Sequence, residues 1–160
     1  MSYLPPDLPF LVPGQDDAPW WEALRRHELV IQRCAACATW RHPPAPLCPA
    51  CHATAHRWER VSGRGRVFSY TIAHHPVHPA LVDRVPYNIV LVELPDAGGV
   101  RLVSNLVDVP VEEVAVGLEV EVLFEDQGDV TLPRFRRVRR KTVWGWPCGW
   151  WTPRTRSWRA

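Results

Sequence analysis

The sequence predicts a mainly β protein: one short N-terminal helix, then a cysteine-pinned ribbon, then a small antiparallel barrel. Three observations predict it. Four of the five cysteines fall in two Cys-x-x-Cys pairs within "CAACATWRHPPAPLCPAC", from Cys34 to Cys51. Seventeen prolines disfavour long helices and favour short strands joined by turns. Downstream of the cysteines, segments of strand character recur with turn signals at short intervals.

Residues 1–15 are Pro-rich and read as an extended arm. "DDAPWWEALRRHEL" (16–29) offers acidic residues, then Pro19 near a first helical turn, then an amphipathic stripe in which Trp20, Ala23, Leu24 and His27 share a face with Trp21 beside it. The arm and helix make a first unit over 1–29. "ELVIQR" has strand character and leads into the first cysteine knuckle, opening a ribbon over 30–58.

The paired knuckles admit three readings: a redox device, two disulfides or a metal site. A thioredoxin-like motif needs one Cys-x-x-Cys opening a helix after a strand, whereas turn-forming residues follow both pairs here. "MSYLPPDLPF" does not read as a signal peptide, and no stretch approaches the ~18–20 apolar residues that cross a bilayer, so a reducing cytoplasm is expected. Thiols there are normally kept reduced. Two knuckles can instead bring Cys34, Cys37, Cys48 and Cys51 around one zinc ion. Four cysteine ligands close the coordination shell, so the zinc is expected to be structural and not catalytic. Cys148 is left over as an ordinary free thiol.

After the ribbon come five strand candidates: "HRWERVSGRGRVFSYTIAHH", "YNIVLVELP", "VRLVSNLVDVP", "LEVEVLFED" and "PRFRRVRR". The second and third are joined by the hairpin signal "DAGG". A five-stranded antiparallel OB-fold barrel over 59–141 fits that count, because closure removes exposed edges. Gly63 and Gly65 sit where a long first strand must coil sharply. The last stretch, 142–160, carries five of the nine tryptophans and no acidic residue; it reads as a poorly ordered or partner-binding tail.

The order of motifs is itself informative. A Trp-containing amphipathic helix, "CAAC…CPAC", "VSGRGRVFSYT", "IVLVELP", "VGLEVEVLFED" and "LPRF" together resemble the DUF35 family over residues 18–140. These are OB-fold, acyl-CoA-associated proteins with an N-terminal rubredoxin-like zinc ribbon. The resemblance implies a non-catalytic accessory subunit that joins a thiolase-like acyltransferase or aldolase, or a MaoC-like hydratase, and helps form its acyl-CoA site. The family's four ligand cysteines carry over to Cys34, Cys37, Cys48 and Cys51. Trp20 and Trp21 match the aromatic part of its first helix.

Other residue patterns offer candidate chemistry. Arg64 and Arg66 flank Gly65 and could meet a phosphate, or stand as solvated loop arginines. With Trp20 and Trp21 they are the candidate contacts to a partner or acyl-CoA. His74, His75 and His78 have partly metal-like spacing, but two prolines among them argue against the helix such spacing needs. Glu112, Glu113, Glu119 and Glu121 read as solubilising surface. Residues 134–160 hold nine Lys and Arg and no Asp or Glu, leaving ten basic against seventeen acidic residues elsewhere. A nucleic-acid-binding OB domain, stacking bases on Phe68 and Tyr70, is therefore the main alternative, although its barrel body would be acidic. A stand-alone acyl-CoA binder is the third reading.

Overall fold

The structure is a computed structural model, and it describes residues 13–138. The expectations for the first twelve residues, for Cys148 and for the tail at 142–160 lie outside the described residues.

Helix α1 spans Ala18–Arg25, shorter than the 16–29 segment suggests, and buries Trp20, Ala23 and Leu24. Its end is set by His27, which adopts a left-handed backbone (φ 57°). The Glu28 N–H reaches Ala23 O at 3.0 Å and the His27 N–H reaches Leu24 O at 2.8 Å, the paired bonds of a Schellman stop. His27 thus leaves the buried helical stripe expected of it and stacks on Phe124 instead.

The ribbon is a three-stranded sheet in the order β2–β1–β3, from Val30–Cys34 (β1), Trp40–Arg41 (β2) and His56–Arg60 (β3). The long alternating segment that begins "HRWERV" is therefore two strands, and its first half belongs to the ribbon. The second half is β4 (Arg64–Ala73), followed by β5 (Tyr87–Leu94), β6 (Val100–Ser104), β7 (Leu106–Val107), β8 (Glu119–Gln127) and β9 (Val130–Arg137). These six strands run β6–β5–β4–β8–β9–β7. β6 and β7 are separated by Asn105 alone, so one interrupted strand contributes both ends of the sheet. That interruption explains six strands where five were expected.

The break closes the barrel. β6 pairs antiparallel with β5, and β7 pairs parallel with β9. A buried polar knot holds the switch. Asn88 Nδ2 donates to Leu106 O (2.9 Å) while its Oδ1 accepts from the Leu106 N–H (2.6 Å). Asn105 donates to Asn88 O and accepts from Arg134 Nη1, and Arg134 Nε bonds Glu125 at 2.7 Å. Buried polar groups demand such partners, and here satisfying them fixes where the strand changes neighbours.

β4 coils as the glycines suggest. It pairs with β8 over Arg64–Arg66 and with β5 from Arg66 to Ala73, with a bulge between Val67 and Ser69. A Cβ on Gly65 would lie 2.5 Å from Glu93 O, so the crossing needs glycine. β5 alternates faithfully, turning Asn88, Val90, Val92 and Leu94 inward. One apolar cluster joins Leu24 of α1 and Ile31 of β1 to Val92, Leu102 and Phe135 of the barrel. Helix, ribbon and barrel therefore share a core.

The ribbon and the link that follows it also grip the β5–β6 turn, residues 95–99. The Ser62 N–H donates to Asp96 Oδ2 at 2.7 Å. Trp40 lies over the same turn so closely that a Cβ on Gly98 would fall 2.6 Å from its Cδ1.

Candidate metal centre and flanking surfaces

The two knuckles are built alike. The Cys34 N–H donates to Thr39 O (2.9 Å) and the Cys48 N–H to Ala53 O (3.0 Å). Cys34 O accepts from the Ala38 N–H (3.1 Å) and Cys48 O from the His52 N–H (2.9 Å). Ala38 and His52, each just after a second cysteine, take matching left-handed φ of 61° and 59°. Two copies of one turn thus face each other, four sulfurs between them.

Those sulfurs all lie within 4.8 Å of one another. Cys34 Sγ stands 3.6 Å from Cys51 Sγ, and Cys37 Sγ 3.5 Å from Cys48 Sγ. A tetrahedron with Zn–S of ~2.3 Å has edges of roughly 3.8 Å, so the cage fits zinc. These separations are far beyond an S–S bond of ~2.05 Å, and all four thiols are free.

The electrostatics point the same way. N–H groups of Cys37 and Ala36 aimed at Cys34 lower its thiol pKa. The Thr39 hydroxyl, then the Thr39 N–H, bring Cys37 down to about 6. Cys51 also receives an N–H, from Ala53, yet ends up raised to about 12 because the neighbouring thiols of Cys37, Cys34 and Cys48, with burial, outweigh it. Four crowded thiols cannot all ionise alone; a divalent cation removes the conflict. With four thiolates bound, zinc keeps no position for water, so the centre shapes the chain and performs no hydrolysis.

The tryptophans divide. Trp20 is 7% exposed inside the core, and Trp21 meets it edge-on at 4.7 Å while donating from Nε1 to Asp17 Oδ2 at 3.1 Å. Arg64 and Arg66 are exposed and border a cleft of about 360 Å³ with Pro95, Gly117, Glu119 and Val138. Arg66 Nε lies 3.8 Å from Glu93. The histidines at 74, 75 and 78 do not gather: His74 and His75 face solvent, and His78 Nδ1 caps the short turn Pro79–Arg84 by accepting from the Ala80 N–H. Among the described residues the four cysteines form the one cluster of metal-binding type.

Among the described residues the closing strand is less basic than its sequence suggests. Arg134 pairs with Glu125 at 2.7 Å, Arg136 with Glu121 at 2.9 Å and Arg137 with Glu113 at 2.8 Å. Glu113 and Glu121, read as solubilising surface, serve as their counter-ions. A row of arginines so neutralised makes a poor track for a phosphate backbone.

One pair escaped the sequence reading. His27 Nε2 lies 3.0 Å from Asp126 Oδ1, which also accepts from Thr131 Oγ1 at 2.7 Å. The Thr131 hydroxyl and then His27 hold the Asp126 carboxyl below its ordinary range. His–Asp pairs orient general bases, but no nucleophile hydrogen-bonds the other ring nitrogen among the described residues. Ninety-nine residues separate the partners, so no local spacing could reveal them.

Two matched cysteine knuckles packed against a small closed barrel define a zinc-ribbon and OB-fold protein whose four-sulfur site is of the structural kind. The chain belongs to the DUF35 family. Residues 21–57 match the ChsH2 rubredoxin-like zinc ribbon domain and residues 58–125 the ChsH2 C-terminal OB-fold domain. A DUF35 domain-containing scaffold protein of Methanocaldococcus jannaschii is 32% identical, over 69% of this chain and 79% of its own length. A probable enoyl-CoA hydratase alpha subunit of Thermomonospora curvata is 46% identical over 126 residues, 77% of this chain. The match spans 38% of that subunit's length. A solved structure, the Ltp2-ChsH2(DUF35) aldolase, contains a chain 43% identical, matched over 98% of its length and 80% of this one with a TM-score of 0.72. Among the described residues, no helix is long and apolar enough to cross a membrane.

Proposed function

We propose that this chain is a cytoplasmic, non-catalytic accessory subunit that joins a thiolase-like aldolase or acyltransferase, or a MaoC-like hydratase, and helps form its acyl-CoA site. The observation that carries the reading is the closed four-sulfur cage on a fold shared, nearly end to end, with the DUF35 chain of an aldolase. Trp21, Arg64 and Arg66 are the contacts to partner or acyl-CoA, and Trp20 acts from beneath by holding Trp21 in place. In this reading the partner supplies the nucleophile and the acid–base groups. Co-expression with an Ltp2-type aldolase subunit tests it. The expected results are a stable complex with about one zinc per accessory chain and no acyl-CoA turnover by the isolated chain. Turnover by the pure, isolated chain would overturn the assignment.

A further inference from the structure

Arg41, on β2, is 6% exposed, and its enclosure leaves most of its donors unused. Nε donates to Gln32 Oε1, an uncharged acceptor that also takes the Ala45 N–H at 3.0 Å. Nη1 and Nη2 are sealed from solvent and reach no acceptor. Arg134, the other buried arginine among the described residues, has Glu125 beside it at 2.7 Å. A guanidinium removed from water with no opposing charge is among the costliest groups a protein can bury.

The composition of the ribbon narrows what can oppose it. From Val30 to Trp58 there is no Asp or Glu. Arg33 and Arg57 both reach Glu59, just past that segment, at 3.1 and 3.2 Å. Glu59 stands opposite Ile31, whereas Arg41 and Trp58 stand opposite Gln32, so register puts Glu59 and Arg41 on different faces of the sheet. Cys34 follows Gln32 by two residues and shares its face. Across β1–β2 it is the diagonal neighbour of Arg41, at the ~7–8 Å separation that long side chains span. Within 30–58 the sulfurs alone can carry negative charge.

We propose that Arg41 is the built-in counter-charge of the four-cysteine centre and raises its affinity for zinc. Four thiolates around a divalent ion leave two negative charges in excess. Two of the four ligands, Cys34 and Cys48, are themselves buried. A fixed cation on the same face offsets part of that excess, in surroundings where charges act more strongly than in water. The guanidinium and the loaded cage thus each reduce what it costs to enclose the other. A buried water would occupy the free N–H groups but leave both charges unbalanced. Groups just outside a metal's own ligands commonly change its affinity by about 10–100-fold. The role is internal to the chain and independent of any enzyme partner.

The test measures zinc affinity of the full chain by competition with a chromophoric chelator, with circular dichroism at saturating zinc confirming that each variant folds. Arg41→Met, similar in length but uncharged, is expected to weaken zinc at least about tenfold. Arg41→Lys keeps the charge and should stay within about threefold of wild type. Gln32→Glu keeps the acceptor oxygen for Arg41 Nε and the Ala45 N–H but gives the guanidinium a carboxylate of its own. It should also weaken zinc at least about tenfold, whereas a purely architectural Arg41 predicts unchanged or tighter binding. Arg57→Met removes an arginine that is 60% exposed and already paired with Glu59, and should bind within about twofold of wild type. Zinc held within twofold of wild type by Arg41→Met or by Gln32→Glu overturns the proposal. So does a loss in Arg41→Lys equal to that in Arg41→Met, or an equal loss in Arg57→Met. Should Arg41→Met not fold at saturating zinc, Gln32→Glu decides alone. A wild-type chain that holds no zinc overturns the counter-charge together with the metal centre.

Discussion

Replacing Cys37 by alanine tests the cage while sparing the core, because this cysteine is exposed whereas Cys34 and Cys48 are buried. Structural zinc in small fingers binds with about 10–16 kcal/mol. One ligand in four therefore carries roughly 3–4 kcal/mol, or about 10²–10³ in affinity. Competition against a chromophoric chelator should show that loss. Thermal stability should follow, since a ligand stabilises by RT ln(1 + [L]/Kd). At free zinc a hundred times the wild-type Kd, the wild type gains about 2.7 kcal/mol and the variant about 0.4 kcal/mol or less. The reasoning is refuted if Cys37→Ala holds one zinc per chain as tightly as wild type. It is refuted equally if metal-stripped and metal-loaded wild type melt at the same temperature.

Three further outcomes are expected. Arg134→Met removes the guanidinium from the largely buried Glu125 carboxylate, which keeps Gln127, and from the Asn105 amide oxygen, and should cost about 3 kcal/mol in urea denaturation; a loss under 1 kcal/mol would show the knot to be incidental. Gly65→Ala drives a methyl to 2.5 Å from Glu93 O and should cost at least about 2 kcal/mol, with a shifted β4–β5 register visible in amide exchange. His42 is lowered to about 4 by burial against Trp20, so the unfolded chain takes up its proton first as pH falls. Stability from this group is therefore complete above about pH 6.5 and falls by on the order of 2 kcal/mol as pH drops to 4. His42→Phe should flatten that slope relative to wild type at matched zinc, and an identical slope would contradict the assignment.

The cysteine cage was legible because its chemistry is local: four residue types at fixed spacing in one eighteen-residue stretch. The barrel was legible from strand segments recurring at short intervals and from the "DAGG" turn; the alternation of β5 shows only in its burial, because Ile89 to Val92 is apolar throughout. Gly65 was legible as a crossing, since few other reasons place Gly-Arg-Gly in a strand. The split of "HRWERVSGRGRVF" into a ribbon strand and a barrel strand was not, because the segment keeps its alternation through a change of sheet. Nor was the closure at Asn105, whose partners Asn88 and Arg134 lie seventeen and twenty-nine residues away. His27 misled for a related reason: its helical spacing is sound, but the backbone reverses at that residue and carries the ring to β8. Charge counting overstated the closing strand, because each of its described arginines, Arg134, Arg136 and Arg137, meets a carboxylate from elsewhere in the chain.

The turn between β5 and β6 would ordinarily be the easy place to lengthen a small barrel. Here Asp96 is tied to Ser62 on the link out of the ribbon and Gly98 lies under Trp40 of the ribbon itself, so that loop is held from two sides. Loss of a bound ion is therefore expected to slacken a corner of the barrel more than sixty residues along the chain from the first sulfur. Any graft inserted at that corner would have to be tolerated by the ribbon as well as by the hairpin it extends.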